Sequence, residues 1–165
     1  MIIFKPVVLA VAALTVASVL FGVVFKAYRV TIVIPTAFYL ALCFAQTIHS
    51  VEEYFSHFWE HITEIPMFPF KKHPEGNGIP RADRFFFIVF NIAFDGLMFL
   101  YYLFLSWNAA WSWVFVLGMA LVGVGNSILH CGTALNKRAY FSGCISAVFT
   151  LITGAIILAS VSIRF

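Results

Sequence analysis

The stretch TIHSVEEYFSHFWEHITE, from Thr47 to Glu64, is the part of this chain that best indicates how it folds and what it does. It holds four carboxylates and three histidines within eighteen residues. It directly follows PTAFYLALCFAQ (35–46), an apolar run of the kind that forms membrane helices. Ionisable side chains are costly at membrane depth, so their concentration at the end of an apolar run indicates a functional site.

The composition of the whole chain supports a membrane location. Of its 165 residues, 62% are hydrophobic and 10% are charged, and the mean hydropathy is +0.98. A soluble domain carries about 25% charged residues. The apolar runs are long and continuous, which favours helices over the short alternating segments of a transmembrane barrel. The sequence therefore predicts an all-α, polytopic membrane protein that forms a single domain over residues 1–165.

Five segments have the length and composition of a membrane span. They cover about residues 7–25, 31–60, 85–107, 110–135 and 139–163. A span needs about 20 apolar residues, so each of these segments can form a membrane helix. All but one of the connections between them are short, which predicts a compact five-helix bundle. The only long loop, residues 64–84, is rich in proline, glycine and charge. The first segment is longer than a typical leader and no small-residue cleavage site follows it, so we expect it to be a retained span.

Lysine and arginine placement predicts the orientation of the bundle. One side would carry seven of these residues: Lys5, Lys71, Lys72, Arg81, Arg84, Lys137 and Arg138. The other side would carry three: Lys26, Arg29 and Arg164. The positive-inside rule then predicts a cytoplasmic N-terminus, a cytoplasmic loop at 64–84 and a C-terminus outside. Because the basic residues lie between apolar segments, they are interpreted as topology signals, and no nucleic-acid partner is expected.

On this topology the polar residues of three spans fall at one depth. They are His49, Glu52 and Glu53 in the second span, Asn91 and Asp95 in the third, and Asn126 and His130 in the fourth. In both the third and the fourth span the two residues lie about 10 and 16 Å from the predicted cytoplasmic end. Polar side chains at membrane depth normally face the bundle interior or a wet cavity, so one shared site is predicted.

Helical spacing suggests that this site binds a metal ion. His49, Glu53, His57 and Glu60 recur at three- and four-residue intervals, which would form one stripe of alternating imidazoles and carboxylates on a helix. Facing helices of metal-binding bundles carry such residues. The candidate metal ligands are His49, Glu53, His57 and His130, and the candidate catalytic residues are Glu52 and Glu53. Asn91, Asp95 and Asn126 are candidates for binding substrate or for hydrogen bonding to the ligands.

Other interpretations of the same residues stay open at this point. His49, Glu52 and Glu53 could form a polar network without metal, or a proton relay. His57, Glu60 and His61 could lie at a solvated helix end. Asn91 and Asp95 could satisfy each other or a neighbouring backbone group, and His130 could be a core histidine with its hydrogen bonds satisfied. The three cysteines, Cys43, Cys131 and Cys144, lie in apolar segments without CxxC spacing and are expected to be small core residues.

Two short motifs resemble those of a known family. HSVEE (49–53) matches the signature of the HXXEE-motif family of small integral membrane proteins, and NSILH (126–130) is similar to that family's later N-xxx-H element. The stretch KRAYFSGCISAVF (137–149) is similar to its Arg-x-Tyr-x-x-Gly element, with Ser142 where the family usually has proline. The resemblance, which spans about residues 46–143, implies a site at His49, Glu52, Glu53, Asn126 and His130, and it implies no particular reaction.

Two classes of function follow from this pattern. The first is a metal-dependent membrane enzyme, a hydrolase or an oxygen-using oxidoreductase, with a divalent metal ion such as zinc or iron as cofactor. Burial of the site within the bilayer would suit a lipid-like substrate, and membrane lipid is the expected surrounding partner. The second class is non-enzymatic: an ion or proton carrier, or an accessory subunit of a larger membrane complex. The chain shows no internal repeat, which argues against a repeat-type transporter.

Overall fold

Four α-helices and a short ribbon account for the regular structure of the described residues. The computed structural model describes residues 31–33, 35–61, 81–106 and 112–164, together with Val16, Leu20 and Val23. Strand β1 is Thr31–Val33 and strand β2 is Ser162–Arg164; the helices are α1 Thr36–Phe55, α2 Arg81–Ser106, α3 Ser112–Lys137 and α4 Cys144–Ser160, with a 3₁₀ turn at Phe58–Glu60. The predicted first span lies outside the described residues except for those three positions, and the loop predicted at 64–84 lies outside them except for 81–84.

Helix α1 is shorter than the predicted second span at both ends. Pro35 has an extended backbone, with φ −60° and ψ 116°, and the helix begins after it at Thr36. At the other end the Ser56 hydroxyl donates to the Glu52 carbonyl oxygen at 2.6 Å. His57 then adopts a left-handed conformation, with φ 54°, which ends the helix. The predicted helix over 31–60 is therefore a strand followed by a helix over 36–55.

The ribbon joins the start of α1 to the end of α4. Strands β1 and β2 pair antiparallel, with Thr31 opposite Arg164 and Val33 opposite Ser162. Since β1 leads into α1 and β2 follows α4, the two helices run in opposite directions side by side. This arrangement fixes their relative register and brings the C-terminal part of α1, with His49 and Glu52, against the N-terminus of α4.

The helices enclose two apolar clusters. The larger one joins all four helices through ten buried side chains: Tyr39, Leu42, Cys43, Met98, Tyr101, Phe115, Val116, Met119, Ala120 and Ile157. The smaller one lies nearer the 3₁₀ turn and consists of Phe58, Trp59, Phe87 and Phe141. The rings of Phe58 and Phe141 lie 4.9 and 5.6 Å from the ring of His130. Aromatic side chains therefore close one side of the region where the polar residues meet.

Membrane insertion has partial structural support. In the described part of the chain, Trp113–Lys137 is long and apolar enough to cross a membrane, and Phe87–Leu103 and Cys144–Ser160 are shorter apolar stretches. Large apolar side chains also face outward on every helix, among them Phe44, Phe85, Leu121 and Phe149. A buried core helix of a soluble protein can pass the same length test. The all-α prediction is confirmed, while the five spans and the orientation of the termini stay predictions.

Candidate metal centre

Three of the four predicted metal ligands meet in the interior. His49 and Glu53 lie one turn apart on α1, and His130 approaches them from α3. His49 Nε2 lies 3.4 Å from Glu53 Oε1, and His130 Nε2 lies 3.3 Å from the same oxygen. All three ligand atoms lie within 4.8 Å of one another. Both histidines are fully buried and Glu53 is 6% exposed, so water does little to solvate this group.

The orientation of the His130 ring is fixed by the backbone. Its Nδ1 lies 2.6 Å from the carbonyl oxygen of Ser142, an acceptor, so Nδ1 carries the proton and donates. In the neutral ring the lone pair is then on Nε2, which faces Glu53. This buried nitrogen has no hydrogen-bond partner among the described residues. Metal-binding histidines commonly have this arrangement, with one ring nitrogen held by a carbonyl and the other directed at the ion.

The orientation of the His49 ring is also fixed, in this case by hydrogen bonds through the Ser146 side chain to Glu52. Its Nδ1 lies 3.0 Å from Ser146 Oγ, and the Ser146 hydroxyl in turn donates to the Glu52 carboxylate. Because the serine proton is directed to the carboxylate, the serine oxygen accepts from His49 Nδ1–H. The lone pair of His49 is therefore on Nε2, the nitrogen that faces Glu53.

These orientations bring three electron-pair donors together in a buried space. Two imidazole lone pairs and one carboxylate oxygen repel each other unless a cation lies among them. Two ligand atoms on a tetrahedral zinc ion lie about 3.3–3.4 Å apart when each is about 2.0–2.1 Å from the metal. The two Nε2–Oε1 separations, 3.3 and 3.4 Å, match that spacing, and all three ligand atoms lie within 4.8 Å of one another. The residues present therefore fit a metal ion by donor type and by orientation, and two of the three ligand separations have the spacing of a zinc site.

Asn126 lies one turn from His130 on α3 and also reaches the centre. Its carboxamide Nδ2 donates to His49 Nε2 at 2.9 Å. This hydrogen bond agrees with a lone pair on that nitrogen. An ion on His49 Nε2 would replace the hydrogen bond, and the Asn126 carboxamide would then be available to another group at the centre.

Glu52 faces α4, not the cluster. Its carboxylate accepts from the backbone N–H groups of Ile145 and Ser146, at 3.3 and 2.7 Å, and from the Tyr140 hydroxyl at 2.8 Å. With the Ser146 hydroxyl, four donors occupy the carboxylate. The predicted catalytic role of Glu52 has no support in these contacts, which suit orientation of His49 and capping of α4.

Gly143 closes the centre from the side of α4, and sequence reasoning did not assign it a role there. A Cβ atom at this position would lie 2.8 Å from His130 Nδ1 and 2.8 Å from His49 Cε1. Its φ of +80° is in the left-handed region that favours glycine. Glycine therefore lets the backbone contact both imidazoles. Ser142 and Ser146 were also missed, although FSGCIS (141–146) has the serine and glycine content typical of a helix N-terminus.

His57 and Glu60 do not reach the cluster. Helix α1 ends before them, so the predicted stripe breaks after Glu53. His57 is exposed and its ring stacks on Trp59 at 5.2 Å, while Glu60 pairs with Arg84 at 3.5 Å. The geometry gives no support to His57 as a ligand.

Asn91 and Asp95 lie on the other side of α1 from the histidines. Together with Ser50, they line a cavity of about 550 Å³ between α1 and α2. The Ser50 hydroxyl donates to Asp95 Oδ1 at 3.3 Å. The predicted single site is therefore divided into a metal cluster and a separate cavity, and a substrate-binding role for Asn91 and Asp95 stays a prediction.

Comparison with known proteins agrees with the motif analysis. No curated protein and no solved structure matches this chain. Residues 40–158 match the family model described as "Protein of unknown function with HXXEE motif". This range contains the histidines and the carboxylate of the cluster, the Asn126 carboxamide and the Gly143 turn. Because the match covers more than half of the chain, the protein belongs to the HXXEE-motif family.

Proposed function

We propose that this chain is an integral membrane protein in which His49, Glu53 and His130 hold one divalent metal ion, and that it is a metal-dependent enzyme. The observation that supports the metal ion most directly is the buried His130 Nε2, which faces a carboxylate and has no hydrogen-bond partner among the described residues. A proton or a metal ion must separate these two atoms if the centre is to be stable.

The number of ligands supports catalysis over a purely structural role. Structural zinc sites have four protein ligands, whereas catalytic sites usually have three and leave a position for water or substrate. Here, within the described residues, three side chains converge. Two histidines and one carboxylate are also the ligands of non-haem iron oxygenases. Zinc fits the two Nε2–Oε1 separations, and iron remains the second candidate.

A bound divalent ion would supply Lewis acidity and a bound water of lowered pKa. The residues of the chain then have distinct tasks. His49 and His130 hold the ion through Nε2, with their rings oriented by Ser146 and the Ser142 carbonyl. Glu53 Oε1 faces both histidines, and the second carboxylate oxygen, Oε2, could take up a proton from a reacting group. The Asn126 carboxamide could donate to a polar atom of the substrate.

The surroundings of the centre favour a lipid-like substrate. The cluster lies inside a helical bundle whose outer surface carries many large apolar side chains. A substrate that reaches such a centre from a bilayer would itself be apolar over much of its length. Hydrolysis is the reaction expected with zinc, and oxygen chemistry is the reaction expected with iron.

The proposal is tested by metal content. Wild-type protein, purified in detergent, is expected to hold about one zinc or iron ion per chain by elemental analysis. Glu53→Ala and the isosteric Glu53→Gln should lose it, because each removes the anionic ligand of a buried site. Glu60→Ala is the matched control, since that carboxylate is exposed and pairs only with Arg84 within the described residues. Stoichiometric metal in both Glu53 variants would refute the assignment.

A hydrogen-bonded path favours a second candidate, a proton carrier, which could also serve as an accessory subunit of a larger membrane complex. The path leads from the exposed Tyr140 through Glu52 and Ser146 to His49, and so to Glu53. Protons move along such chains of alternating donors and acceptors. Wild-type protein that never holds metal, but loses a measurable proton flux in vesicles on Ser146→Ala, would favour this candidate.

A further inference from the structure

The cavity between α1 and α2 is elongated and mainly apolar. Its walls include Val51, Tyr54, Trp59, Phe87, Ile92 and Phe99. Its volume of about 550 Å³ is within the usual range of small-molecule sites, about 300–1,000 Å³. From Phe87 to Phe99 it follows α2 for twelve residues, or about 18 Å. A cavity of this length with apolar walls suits a hydrocarbon chain.

Polar groups with spare hydrogen-bonding capacity face this apolar space. Asp95 accepts one hydrogen bond, from Ser50, and so has lone pairs left for a donor. In the described part of the chain the Asn91 carboxamide, one turn away on α2, makes no hydrogen bond. Asp95 and Asn91 can therefore both form further hydrogen bonds with a molecule bound in this apolar space.

A hydroxyl group meets these requirements well. It can donate to the Asp95 carboxylate and accept from the Asn91 amide. A fatty-acid carboxylate would instead place a second negative charge beside Asp95 in a poorly solvated space. From Asp95 to Phe87 the apolar walls follow α2 for about 12 Å, which suits the hydrocarbon chain of such an alcohol.

We propose that this cavity binds a single-chain, long-chain alcohol of the aliphatic or isoprenoid type, with its hydroxyl at Asp95 and Asn91. Binding does not depend on the metal centre. Only α1 separates the cavity from the cluster: Ser50 lies on the cavity side and its neighbour His49 on the metal side. The alcohol, or an ester or ether of it, could therefore also be the substrate of the metal centre, and this second step rests on the proposed function.

The test uses bromine quenching of tryptophan fluorescence in the full chain in detergent. The probes are a long-chain primary alcohol with two bromines in mid-chain and the fatty acid with the same brominated chain. The alcohol should quench saturably and bind at least tenfold more tightly than the acid at pH 8. Asp95→Asn should remove most of that preference. Trp59→Phe should remove most of the saturable quenching, because that indole lines the cavity.

A matched pair of variants locates the binding. Val51→Phe places a ring in the cavity and should weaken alcohol binding at least tenfold. Val122→Phe makes the same change on α3 at a residue of similar exposure, 52% against 49%, and should change binding less than twofold.

Equal effects of the two variants, equal binding of alcohol and acid, or quenching without saturation would overturn the proposal. A cavity already filled by another part of the chain would give no saturable quenching, which also overturns it. Chelator-treated protein should bind the alcohol normally, so loss of metal and loss of this site are distinguishable.

Discussion

Gly143 contacts both histidines of the centre through its backbone, and no side chain fits there. In Gly143→Ala the new methyl group would lie 2.8 Å from atoms of both rings, and the φ of +80° adds backbone strain. We expect a loss of about 1–3 kcal/mol in the free energy of unfolding, together with most of the bound metal. Chemical unfolding and elemental analysis of the variant measure the two effects.

The control for this substitution is Gly125→Ala on α3, where an added Cβ atom meets nothing within 4 Å. Alanine is the better helix former by about 1 kcal/mol, so this variant should keep its metal and be equally or more stable. Full metal content in Gly143→Ala would show that the rings can shift without losing the ion, contrary to the packing described here.

Ser146 links Glu52 to His49 without being a ligand itself. In Ser146→Ala the His49 ring loses the acceptor of its Nδ1–H. Loss of a hydrogen-bond partner of a metal-binding histidine typically weakens metal affinity by about 10–100-fold. Competition with a fluorescent chelator should show this weaker affinity with binding still present. Ser127→Ala removes another buried serine hydroxyl, bonded to Thr150 and the Gly123 carbonyl, and should leave affinity unchanged.

At the residue scale, the sequence predicted the groups that carry chemistry better than the groups that orient them. The spacing of His49 and Glu53, and the match between the predicted depths of Asn126 and His130 and those of the polar residues on the other spans, were enough to group these four residues. Gly143 and the Ser142 carbonyl contribute through the backbone, whose position no side-chain pattern reveals. Ser146 acts from a third helix, and its contact with His49 depends on how α4 packs against α1.

At the scale of elements, α4 is capped by a residue of another helix. Gly143 has no side chain to satisfy the first N–H groups of α4, and Glu52 of α1 accepts from two of them. A carboxylate near a helix N-terminus is also favoured by the helix dipole. Glu52→Ala should therefore cost about 1–2 kcal/mol in the free energy of unfolding and speed hydrogen exchange at the amides of Ile145 and Ser146.

The same variant separates a structural role of Glu52 from the predicted catalytic one. Glu60→Ala, at an exposed carboxylate, should change stability by less than about 0.5 kcal/mol and leave exchange at α4 unchanged. If Glu52→Ala left exchange at α4 unaltered while abolishing turnover on an identified substrate, the catalytic prediction would stand and the capping role would fail.

The limits of α1 show what hydropathy alone does not predict. The apolar run continues through Pro35, and the periodic pattern continues past Phe55, so both suggest a longer helix. Pro35 was a usable local signal for the start. The end depends on the left-handed His57, whose ring stacks on Trp59, and on the Ser56 hydroxyl bond to the Glu52 carbonyl. Such tertiary and local contacts override the periodicity of the sequence.

At the scale of the whole molecule, the sequence predicted how deep a residue lies along its helix better than it predicted which neighbouring helix its side chain faces. Asn91 and Asp95 were predicted at the level of the histidines on a neighbouring helix, but they line the cavity on the far side of α1. Several faces of α2 are apolar, so its sequence does not show which face meets which neighbour. The sequence therefore predicted one site, whereas the histidine cluster and the cavity lie on opposite sides of α1.

The orientation of the molecule in the membrane is the remaining large-scale prediction. The outward-facing apolar residues and the α1–α4 ribbon suit a bundle whose ribbon lies at one membrane face and whose α3–α4 turn lies at the other. The excess of lysine and arginine at 64–84 and at Lys137 and Arg138 predicts that the latter face is cytoplasmic.

Single-cysteine variants in a cysteine-free background test this orientation in intact cells. A cysteine at position 76 should react with a membrane-impermeant reagent only after lysis, and one at position 29 should react from outside. Labelling of position 76 in intact cells would invert the topology, while the metal cluster, which depends only on contacts among α1, α3 and α4, would be unaffected.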